Sequence, residues 1–366
     1  MNTKDLLNTI IDRQDLTSSE ASFLLEEIIA GNLNNSQITA VLIGLRSKGE
    51  TVDEIVGFIK TMRKHMVKLS LSSRVRNDRG DLPFGRLPRF ARNDIIDIVG
   101  TGGDGAGTFN ISTAASFVVA GAGVNVAKHG NRAASSKCGS ADVLESLGVN
   151  IQLTPEQATG VLESVGMVFL FAPLYHPAMK NIGPIRKELG VRTIFNFLGP
   201  FLNPASTKRQ LIGVPNVEIA KKLALVSLGL NYKHLIIVTS KDGMDEISTN
   251  AQTHVFEIKG KKITKKIINP NDYGRLPRRH NKRASRNDSL RGGDAKENAD
   301  IIRAILSGQK GPKRDIVVLN SAYALYVSGK AKTVKEGIAL AERSIDSGSA
   351  KKVLDRLIKE TQKYAK

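Results

Sequence analysis

The feature that most constrains this chain is a cluster of five glycines directly after a short apolar segment. The apolar segment is Ile95 to Val99, and the glycines are Gly100, Gly102, Gly103, Gly105 and Gly107. An apolar run of this length that ends in glycine is typical of a buried strand followed by a loop. Because glycine permits positive φ and brings backbone N–H groups close to an anion, the loop predicts a phosphate site.

The glycine loop alone does not identify its ligand. It lacks the GKS or GKT ending of a Walker A loop, and it lacks the GxGxxG dinucleotide pattern with an acid about 20 residues later. A helix predicted to begin near Ser112 would direct its N-terminus at the same ligand, which again favours an anion.

A second polar loop follows the next predicted strand, 123–127. It spans residues 128–140, KHGNRAASSKCGS, in which cationic and hydroxyl side chains are concentrated. Ligands of open α/β sheets bind at the carboxyl ends of the strands, so we expect the two loops to form one site. A ligand with several phosphates and a sugar would use both the glycine loop with Asp104 and the cationic loop.

From Ile95 onwards strand and helix patterns alternate. This predicts an α/β fold, with a mostly parallel sheet covered by helices on both faces. The strands are predicted at 95–99, 123–127, 167–172, 209–214, 234–239 and 253–259. The helices are predicted at 112–121, 138–147, 154–164, 176–189 and 216–228, and the C-terminal part is mainly helical.

Residues 1–71 predict a small domain made only of helices. Thr17 with Glu20 and Thr51 with Glu54 match the capping-box pattern, and apolar residues at helical spacing follow each pair. A further helix is predicted between them, from about 35 to 47. The chain is therefore expected to hold this helical domain followed by a larger α/β domain over 95–366.

Two arginine-rich segments interrupt the pattern and share the sequences GRLPR and RND. They are 72–94, at the predicted hinge between the domains, and 272–296, within the α/β domain. They carry net charges of +3 and +5 out of the formal +19. Since longer surface loops cost little free energy, we interpret both as inserted basic loops whose deletion would leave activity and stability nearly unchanged.

Composition restricts the class of protein and its location. A chain with 41% hydrophobic residues is neither disordered nor fibrous. The single cysteine, Cys138, excludes an internal disulfide, and the sequence has neither a signal-peptide pattern nor an apolar run of membrane-spanning length. We therefore predict a cytoplasmic protein without a membrane partner. The pI near 9.9 favours nucleic-acid binding, but the two basic segments hold much of this charge and have few stacking aromatics, so nucleic acid is not expected as a partner.

Five motifs, in order, resemble those of the anthranilate phosphoribosyltransferase family, within the nucleoside-phosphorylase-like class of phosphoribosyltransferases. They are GTGGD (100–104), FNIST (109–113), KHGNRAASSKCGSADVLESLG (128–148), HPAMKNIGPIRKELGVRTIFNFLGP (176–200) and DGMDE (242–246). The resemblance implies transfer of the phosphoribosyl group of 5-phosphoribosyl 1-diphosphate (PRPP) to the amine of anthranilate in tryptophan biosynthesis, with release of pyrophosphate. It also implies a homodimer through the helical domain, on which 176–189 packs, and an association with anthranilate synthase.

The resemblance assigns PRPP binding to residues of the two loops. They are Gly100, Gly103, Asp104, Thr108, Asn110, Ile111, Ser112, Thr113, Lys128, His129, Gly130, Asn131, Arg132, Ala133, Ala134, Ser135, Ser136 and Ser140. The implied transition state is oxocarbenium-like, so catalysis depends on alignment and charge stabilisation, and no covalent nucleophile is required.

The resemblance also implies a metal site and an anthranilate site. Ser112, Asp245 and Glu246 match the metal positions of the family, for Mg²⁺ at two ions per subunit, and Mg²⁺ prefers such oxygen ligands. Anthranilate binding falls on Gly100, Asn131, His176 and Arg186, the last because a guanidinium pairs well with a carboxylate. We interpret His129 and His176 as binding groups rather than proton carriers, and Cys138 as a packing residue.

Two alternatives remain at this point. A pyrimidine-nucleoside phosphorylase-like enzyme would share the fold and a Lys-His-Gly loop, but Asn131, the RTIFNFLGP segment and the Asp245–Glu246 pair resemble the anthranilate enzymes. A paralogue that has lost catalysis and binds nucleic acid would be expected to lose Arg186 or the metal carboxylates, which this sequence keeps.

Overall fold

A computed structural model describes residues 2–70, 95–133, 136–273 and 288–365. The N-terminal domain consists of α1 (Thr3–Ile11), α2 (Ser18–Ala30), α3 (Asn35–Lys48) and α4 (Val52–His65). Both predicted capping boxes are confirmed, at the starts of α2 and α4, and Asn34 with Gln37 forms a third before α3. Each box satisfies backbone N–H groups that a helix leaves free at its start, which is why these helices begin where they do.

The second domain is built on a seven-stranded sheet. Its strands are β1 (Ile95–Gly100), β2 (Asn125–Gly130), β3 (Met167–Phe171), β4 (Arg209–Gly213), β5 (His234–Ser240), β6 (Thr253–Lys259) and β7 (Lys262–Ile268). Their order is β3-β2-β1-β4-β5-β6-β7. The first five strands in this order pair in parallel, whereas β6 and β7 are antiparallel, so the prediction of a mostly parallel sheet is confirmed.

The helices of this domain follow the strands in the expected alternation. They are α5 (Ile111–Gly121), α6 (Ser140–Ser146), α7 (Pro155–Val165), α8 (Ala172–Tyr175), α9 (Gly183–Leu189), α10 (Phe195–Leu198), α11 (Val217–Leu228), α12 (Ala295–Leu306), α13 (Pro312–Ser328), α14 (Val334–Asp346) and α15 (Ser349–Gln362). None of the helices in the described part of the chain is long and apolar enough to cross a bilayer.

Alternate strand residues face two separate apolar cores. On β5, Ile236 and Val238 belong to a core formed with α5 and α13, while Leu235 and Ile237 belong to a second core. That second core also contains α11 and the buried faces of α1 to α4. The period of two along a strand therefore explains both the helices on each face and the packing of the helical domain against the sheet.

Three elements differ from the sequence prediction. Strand β2 runs to Gly130 rather than to residue 127, because Lys128, His129 and Gly130 continue the pairing with β3. The predicted helix 176–189 is two short pieces, a 3₁₀ turn at Pro177–Lys180 and α9 from Gly183. Strand β7 was not predicted, since its lysine-rich sequence KITKKII is polar in composition although it forms the sheet edge, where lysine is well tolerated.

Of the two segments interpreted as insertions, 72–94 lies wholly outside the described residues, and 272–296 lies outside them over 274–287. The end of the second segment, however, is part of the α/β domain. Leu290 is fully buried and its carbonyl accepts the Phe109 N–H at 3.2 Å, and the Gly292 N–H donates to the Gly107 carbonyl at 3.0 Å. The interpretation of 272–296 as a dispensable loop is therefore wrong for residues 290–296, which support the glycine loop and start α12.

Substitution of Asp294 by alanine should lower the free energy of unfolding by about 1 kcal/mol, because this residue caps α12. Its side chain accepts the Glu297 N–H at 2.9 Å. Asp300→Ala, on the exposed side of the same helix, is the matched control and should change stability by less than about 0.5 kcal/mol. Urea unfolding measures both variants, and equal stabilities would contradict a structural role for this end of the segment.

Candidate active site

Two glycines at the ends of adjacent strands make room for the DGMDE loop. Gly100 and Gly213 are paired across β1 and β4. A Cβ on Gly213 would lie 1.5 Å from the Asp245 carbonyl oxygen, and a Cβ on Gly100 would lie 2.4 Å from Asp245 Oδ2. The Gly102 N–H donates to the same Oδ2 at 2.9 Å. The glycine loop and the DGMDE loop are therefore one packed unit.

Acidic groups are concentrated where these loops meet. The Asp245 N–H donates to Asp104 Oδ2 at 3.3 Å, so the two residues are in direct contact. Burial and the charge of Asp104 raise the pKa of Asp245. Burial and the charge of Asp245 raise the pKa of Glu246 well above its ordinary value. Such a pair gains stability from a proton or a cation, which would neutralise the repulsion.

Lys128, on β2, brings a positive charge near the Asp245–Glu246 pair. Its side chain is buried, and Nζ donates to the Ile98 carbonyl at 2.7 Å and to Ser112 Oγ at 3.2 Å. Burial lowers the pKa of Lys128, while the charges of Asp97, Glu246 and Asp245 oppose that shift. The predicted residues Lys128, Ser112, Asp245 and Glu246 therefore form one charged cluster at the carboxyl ends of β1 and β2.

This donor set suits a hard divalent cation that keeps part of its water shell. Asp245 and Glu246 offer carboxylate oxygens and Ser112 a hydroxyl, which are the ligand types of Mg²⁺. Within the described residues there is no group of three or more His, Cys, Asp or Glu side chains arranged to hold a metal. Mg²⁺ commonly takes one or two carboxylates and completes its shell with water and substrate phosphate, so the two findings agree.

The start of α5 combines two buried side chains with one polar one. Ile111 and Thr113 are 1% exposed, so their side chains belong to the core. The Ile111 N–H donates to the Phe109 carbonyl at 2.7 Å, whereas Ser112 directs its hydroxyl to Lys128. Asn110 fixes this end: its Nδ2 donates to the Cys138 carbonyl at 3.2 Å, and its Oδ1 accepts from Asn298 at 3.0 Å. Burial raises the pKa of Cys138, as expected for a packing thiol rather than a nucleophile.

His129 and His176 form a buried pair. Their Nε2 atoms are 3.1 Å apart, and their rings meet edge to face with centroids 5.1 Å apart. Burial lowers the pKa of His129 to about 3 and that of His176 to about 4. Both imidazoles are therefore neutral at pH 7, and one ring donates its N–H to the other. Neutral, mutually bonded imidazoles suit the orientation of a ligand more than proton removal.

The cationic loop is anchored to α6. The Asn131 carbonyl accepts the Ala141 N–H at 3.2 Å and Ser140 Oγ at 3.3 Å. Arg132 pairs with Glu145 at 2.9 Å, which directs its charge to the helix. Asp142, which the sequence analysis missed, accepts the N–H groups of Ala133 and Gly139. Predicted residues Ala134 and Ser135 lie outside the described residues, and Ser136 Oγ donates to the Cys138 carbonyl at 3.5 Å.

Arg186 is a partly buried arginine whose Nε has an N–H left unused by the described residues. Its guanidinium lies 5.3 Å from the centre of the Phe195 ring, and burial lowers its pKa. Its Nε is buried and has no hydrogen-bond partner among the described residues. A partly buried guanidinium with an unused N–H is suited to a carboxylate ligand, as predicted for anthranilate.

Comparison with known proteins identifies the family. A model of the glycosyl transferase family helical bundle domain matches residues 4–66, and one of the a/b domain matches 92–351. The anthranilate phosphoribosyltransferase of Rhodopseudomonas palustris (strain TIE-1) is 48% identical over 355 residues, 97% of each chain. The chain belongs to the anthranilate phosphoribosyltransferase family. A relative with the same name from Thermoanaerobacter sp. (strain X514) is 48% identical over 97% of this chain and 96% of its own.

Solved structures of this family share the fold. Anthranilate phosphoribosyltransferase from Thermus thermophilus superposes with a TM-score of 0.83 at 35% identity, over 99% of this chain and all of the other. The enzyme from Saccharomyces cerevisiae, in complex with PRPP and Mg, gives 0.82 at 27% identity over 99% of this chain and 98% of the other. These matches support the phosphoribosyltransferase interpretation and not the nucleoside phosphorylase or nucleic-acid-binding alternatives.

One further arginine of this phosphoribosyltransferase reaches the glycine loop without having been predicted. Arg192 Nη2 donates to the Gly103 carbonyl at 2.6 Å, and the Arg192 carbonyl accepts a hydrogen bond from Arg46 on α3. Thr108, which was predicted, forms a bridge with Arg291 at the outer end of the loop. Nothing in the sequence around Arg192 indicates such a contact, because it joins positions 89 residues apart.

Substitution of Gly213 by alanine should displace Asp245 and abolish most activity of this phosphoribosyltransferase. The added Cβ would overlap the Asp245 backbone carbonyl, which cannot move aside as a flexible side chain can. We expect a loss of about 100-fold or more in kcat/KM. Gly160→Ala is the matched control, since a Cβ there meets nothing within 4 Å and the residue lies inside α7. This control should retain activity and be more stable by about 0.5–1 kcal/mol. Equal activity of the two variants would contradict the packing argument.

Proposed function

We propose that this chain transfers the 5-phosphoribosyl group of PRPP to the amine of anthranilate, giving N-(5-phosphoribosyl)anthranilate and pyrophosphate in tryptophan biosynthesis. The observation that carries the proposal is the cluster of Lys128, Ser112, Asp245 and Glu246 beside the glycine loop. It combines donors for phosphate with carboxylates for a cation at one edge of the sheet. Membership of the family supplies the specific reaction.

The diphosphate of PRPP would bind between the two loops. Backbone N–H groups at the start of α5 and the ammonium of Lys128 would offset its charge. Ser112, Asp245 and Glu246 would hold Mg²⁺, at two ions per subunit, which supplies charge neutralisation of the leaving pyrophosphate when bound. The remaining PRPP-binding residues named above would align the ribose for attack at C1.

Anthranilate would bind on the side of Arg186, with Gly100, Asn131 and His176. The free Nε donor of Arg186 supports recognition of the carboxylate. His129 and His176 would orient the substrates as neutral hydrogen-bonding groups, since the weakly basic amine of anthranilate needs no strong base. Catalysis then depends on alignment and on stabilisation of charge, without a covalent intermediate on the protein.

We also propose that two copies of the chain associate through the helical domain. Ile11 on α1 and Ile43 on α3 are 65% and 36% exposed, and they line a surface groove of about 500 Å³. Apolar residues at such a groove favour contact with a second subunit. An association with anthranilate synthase and a cytoplasmic location complete the proposal, and both rest on the family resemblance and the composition.

Loss of anthranilate fluorescence tests the reaction directly. With PRPP and Mg²⁺ the wild-type protein should consume anthranilate, and Asp245→Asn with Glu246→Gln should slow it by about 100-fold or more, because the cation loses its carboxylates. Glu163→Gln, an exposed acid on α7, is the matched control and should behave as wild type. No consumption by wild type at any Mg²⁺ concentration would contradict the proposal, and retention on heparin would then test the nucleic-acid alternative.

Arg186→Gln should raise the KM for anthranilate by about 10- to 100-fold, because a charged hydrogen bond to the carboxylate is lost. The KM for PRPP should change little. The neighbouring exposed residue provides the control, Lys187→Gln, which should leave both constants near the wild-type values. Steady-state kinetics with each substrate varied in turn measure this, and a rise confined to the KM for PRPP would contradict the assignment of Arg186.

A further inference from the structure

Asp97 is a fully buried carboxylate in β1 that the mechanism above does not use. Strand β1 lies between β2 and β4, and Asp97 is three residues before the glycine loop begins at Gly100. A buried carboxylate is costly unless hydrogen bonds or an opposite charge compensate it. Its partners therefore indicate why the chain places an acid at this position.

Side chains replace the backbone ladder between β1 and β2 near the site. The paired residues of these strands are Ile95 with Asn125 and Ile96 with Val126, at the end away from the site. Closer to the site, the His129 N–H donates to Asp97 Oδ1 at 3.3 Å, and Lys128 Nζ donates to the Ile98 carbonyl. Asp97 thus takes the place of a backbone acceptor for the strand that carries Lys128 and His129.

A chain of hydrogen bonds connects Asp97 to the helical domain. Gln210, paired with Asp97 across β1 and β4, donates from Nε2 to Asp97 Oδ2 at 3.0 Å. The Tyr232 hydroxyl donates to Gln210 Oε1 at 2.9 Å, and Arg63 Nη2 on α4 donates to that hydroxyl at 3.4 Å. Arg63 Nε also donates to the Phe201 carbonyl at 2.8 Å. This chain of hydrogen bonds begins at Arg63 in the helical domain and ends at the backbone of His129.

This chain of hydrogen bonds requires both carboxylate oxygens of Asp97 to act as acceptors. Gln210 Nε2 also donates to the Pro200 carbonyl at 2.6 Å, so its amide nitrogen must face Asp97 and its oxygen must face Tyr232. Burial raises the pKa of Asp97 to about 6, and the charge of Lys128 is the largest influence that lowers it, so the group is mainly ionised at pH 7. An asparagine would turn a donor towards one of the two N–H groups.

We propose that Asp97 is a positioning residue for PRPP, which holds the Lys128–His129 backbone against the glycine loop while the helical domain holds Asp97 through Gln210, Tyr232 and Arg63. The proposal rests on the proposed function for the identity of the ligand. Asp97 itself touches no substrate in this arrangement and acts through the His129 N–H. If this contact were lost, the backbone of Lys128 and His129 would be free to move away from the glycine loop.

Steady-state kinetics of Asp97→Asn test the proposal. The KM for PRPP should rise by roughly tenfold or more, with kcat within about threefold of wild type. The reason is that a displaced Lys128–His129 backbone weakens the binding of PRPP in the ground state and in the transition state alike. Tyr232→Phe removes an outer link and keeps the ring, and should raise the same KM by roughly threefold. A role limited to stability would lower the melting temperature of Asp97→Asn and leave its KM for PRPP unchanged, and that result would overturn the proposal.

Hydrogen–deuterium exchange supplies a readout that does not require activity. In Asp97→Asn, exchange in the segment 126–131 should accelerate by roughly tenfold, while β6, which pairs only with β5 and β7, provides the internal control and should not change. If the wild type transfers no phosphoribosyl group, the proposed function fails, and exchange alone decides the positioning role. If Asp97→Asn does not fold, Tyr232→Phe replaces it, and unchanged exchange in that variant overturns the proposal.

Discussion

The site depends on the absence of side chains at Gly100 and Gly213. These residues are paired at the ends of β1 and β4, and Asp245 occupies the volume that their side chains would fill. From β1 the chain adds β2 and β3 on one side of the sheet, and from β4 it adds the later strands on the other side. Open α/β sheets form a ligand crevice at such a point between two strands. The register of one strand pair therefore fixes the distance between the glycine loop and the carboxylates opposite it.

The second constraint is electrostatic. Lys128 is a buried ammonium near three carboxyl groups, those of Asp97, Asp245 and Glu246, so acidic groups outnumber cationic groups around it. Burying such an excess is unfavourable unless protons, a cation or a cationic ligand group offset it. Asp97 accepts hydrogen bonds from its two neighbouring strands, and burial raises its pKa to about 6. Burial and repulsion by nearby carboxylates raise the pKa of Asp245 to about 7 and that of Glu246 well above its ordinary value. The need for a compensating charge is thus greatest at the Asp245–Glu246 pair.

Local sequence patterns predicted most of the fold, because strands and helices here follow from apolar periodicity and capping residues. The two polar loops followed from the sequence pattern, and the assignment of His129, His176 and the Asp245–Glu246 pair to the site followed from the family resemblance. Contacts between residues distant in sequence could not be predicted: Arg192 with Gly103, and Arg46 with the Arg192 carbonyl. Edge strand β7 was not predicted because its lysine-rich sequence lacks a clear apolar pattern. The second basic segment was interpreted as an insertion because it shares sequences with the first, although Leu290 near its end is buried.

The anchoring of the second basic segment limits what a change in its length would affect. On its N-terminal side Tyr273 is hydrogen-bonded to Tyr323 of α13, and on its C-terminal side Leu290 is bound to Phe109 beside the glycine loop. Because the domain holds both ends, a change in the length of the chain between them would not by itself remove these two contacts. Additional sequence at such a position would lengthen a loop, whereas a change within residues 290–294 would act directly on the glycine loop or on the start of α12.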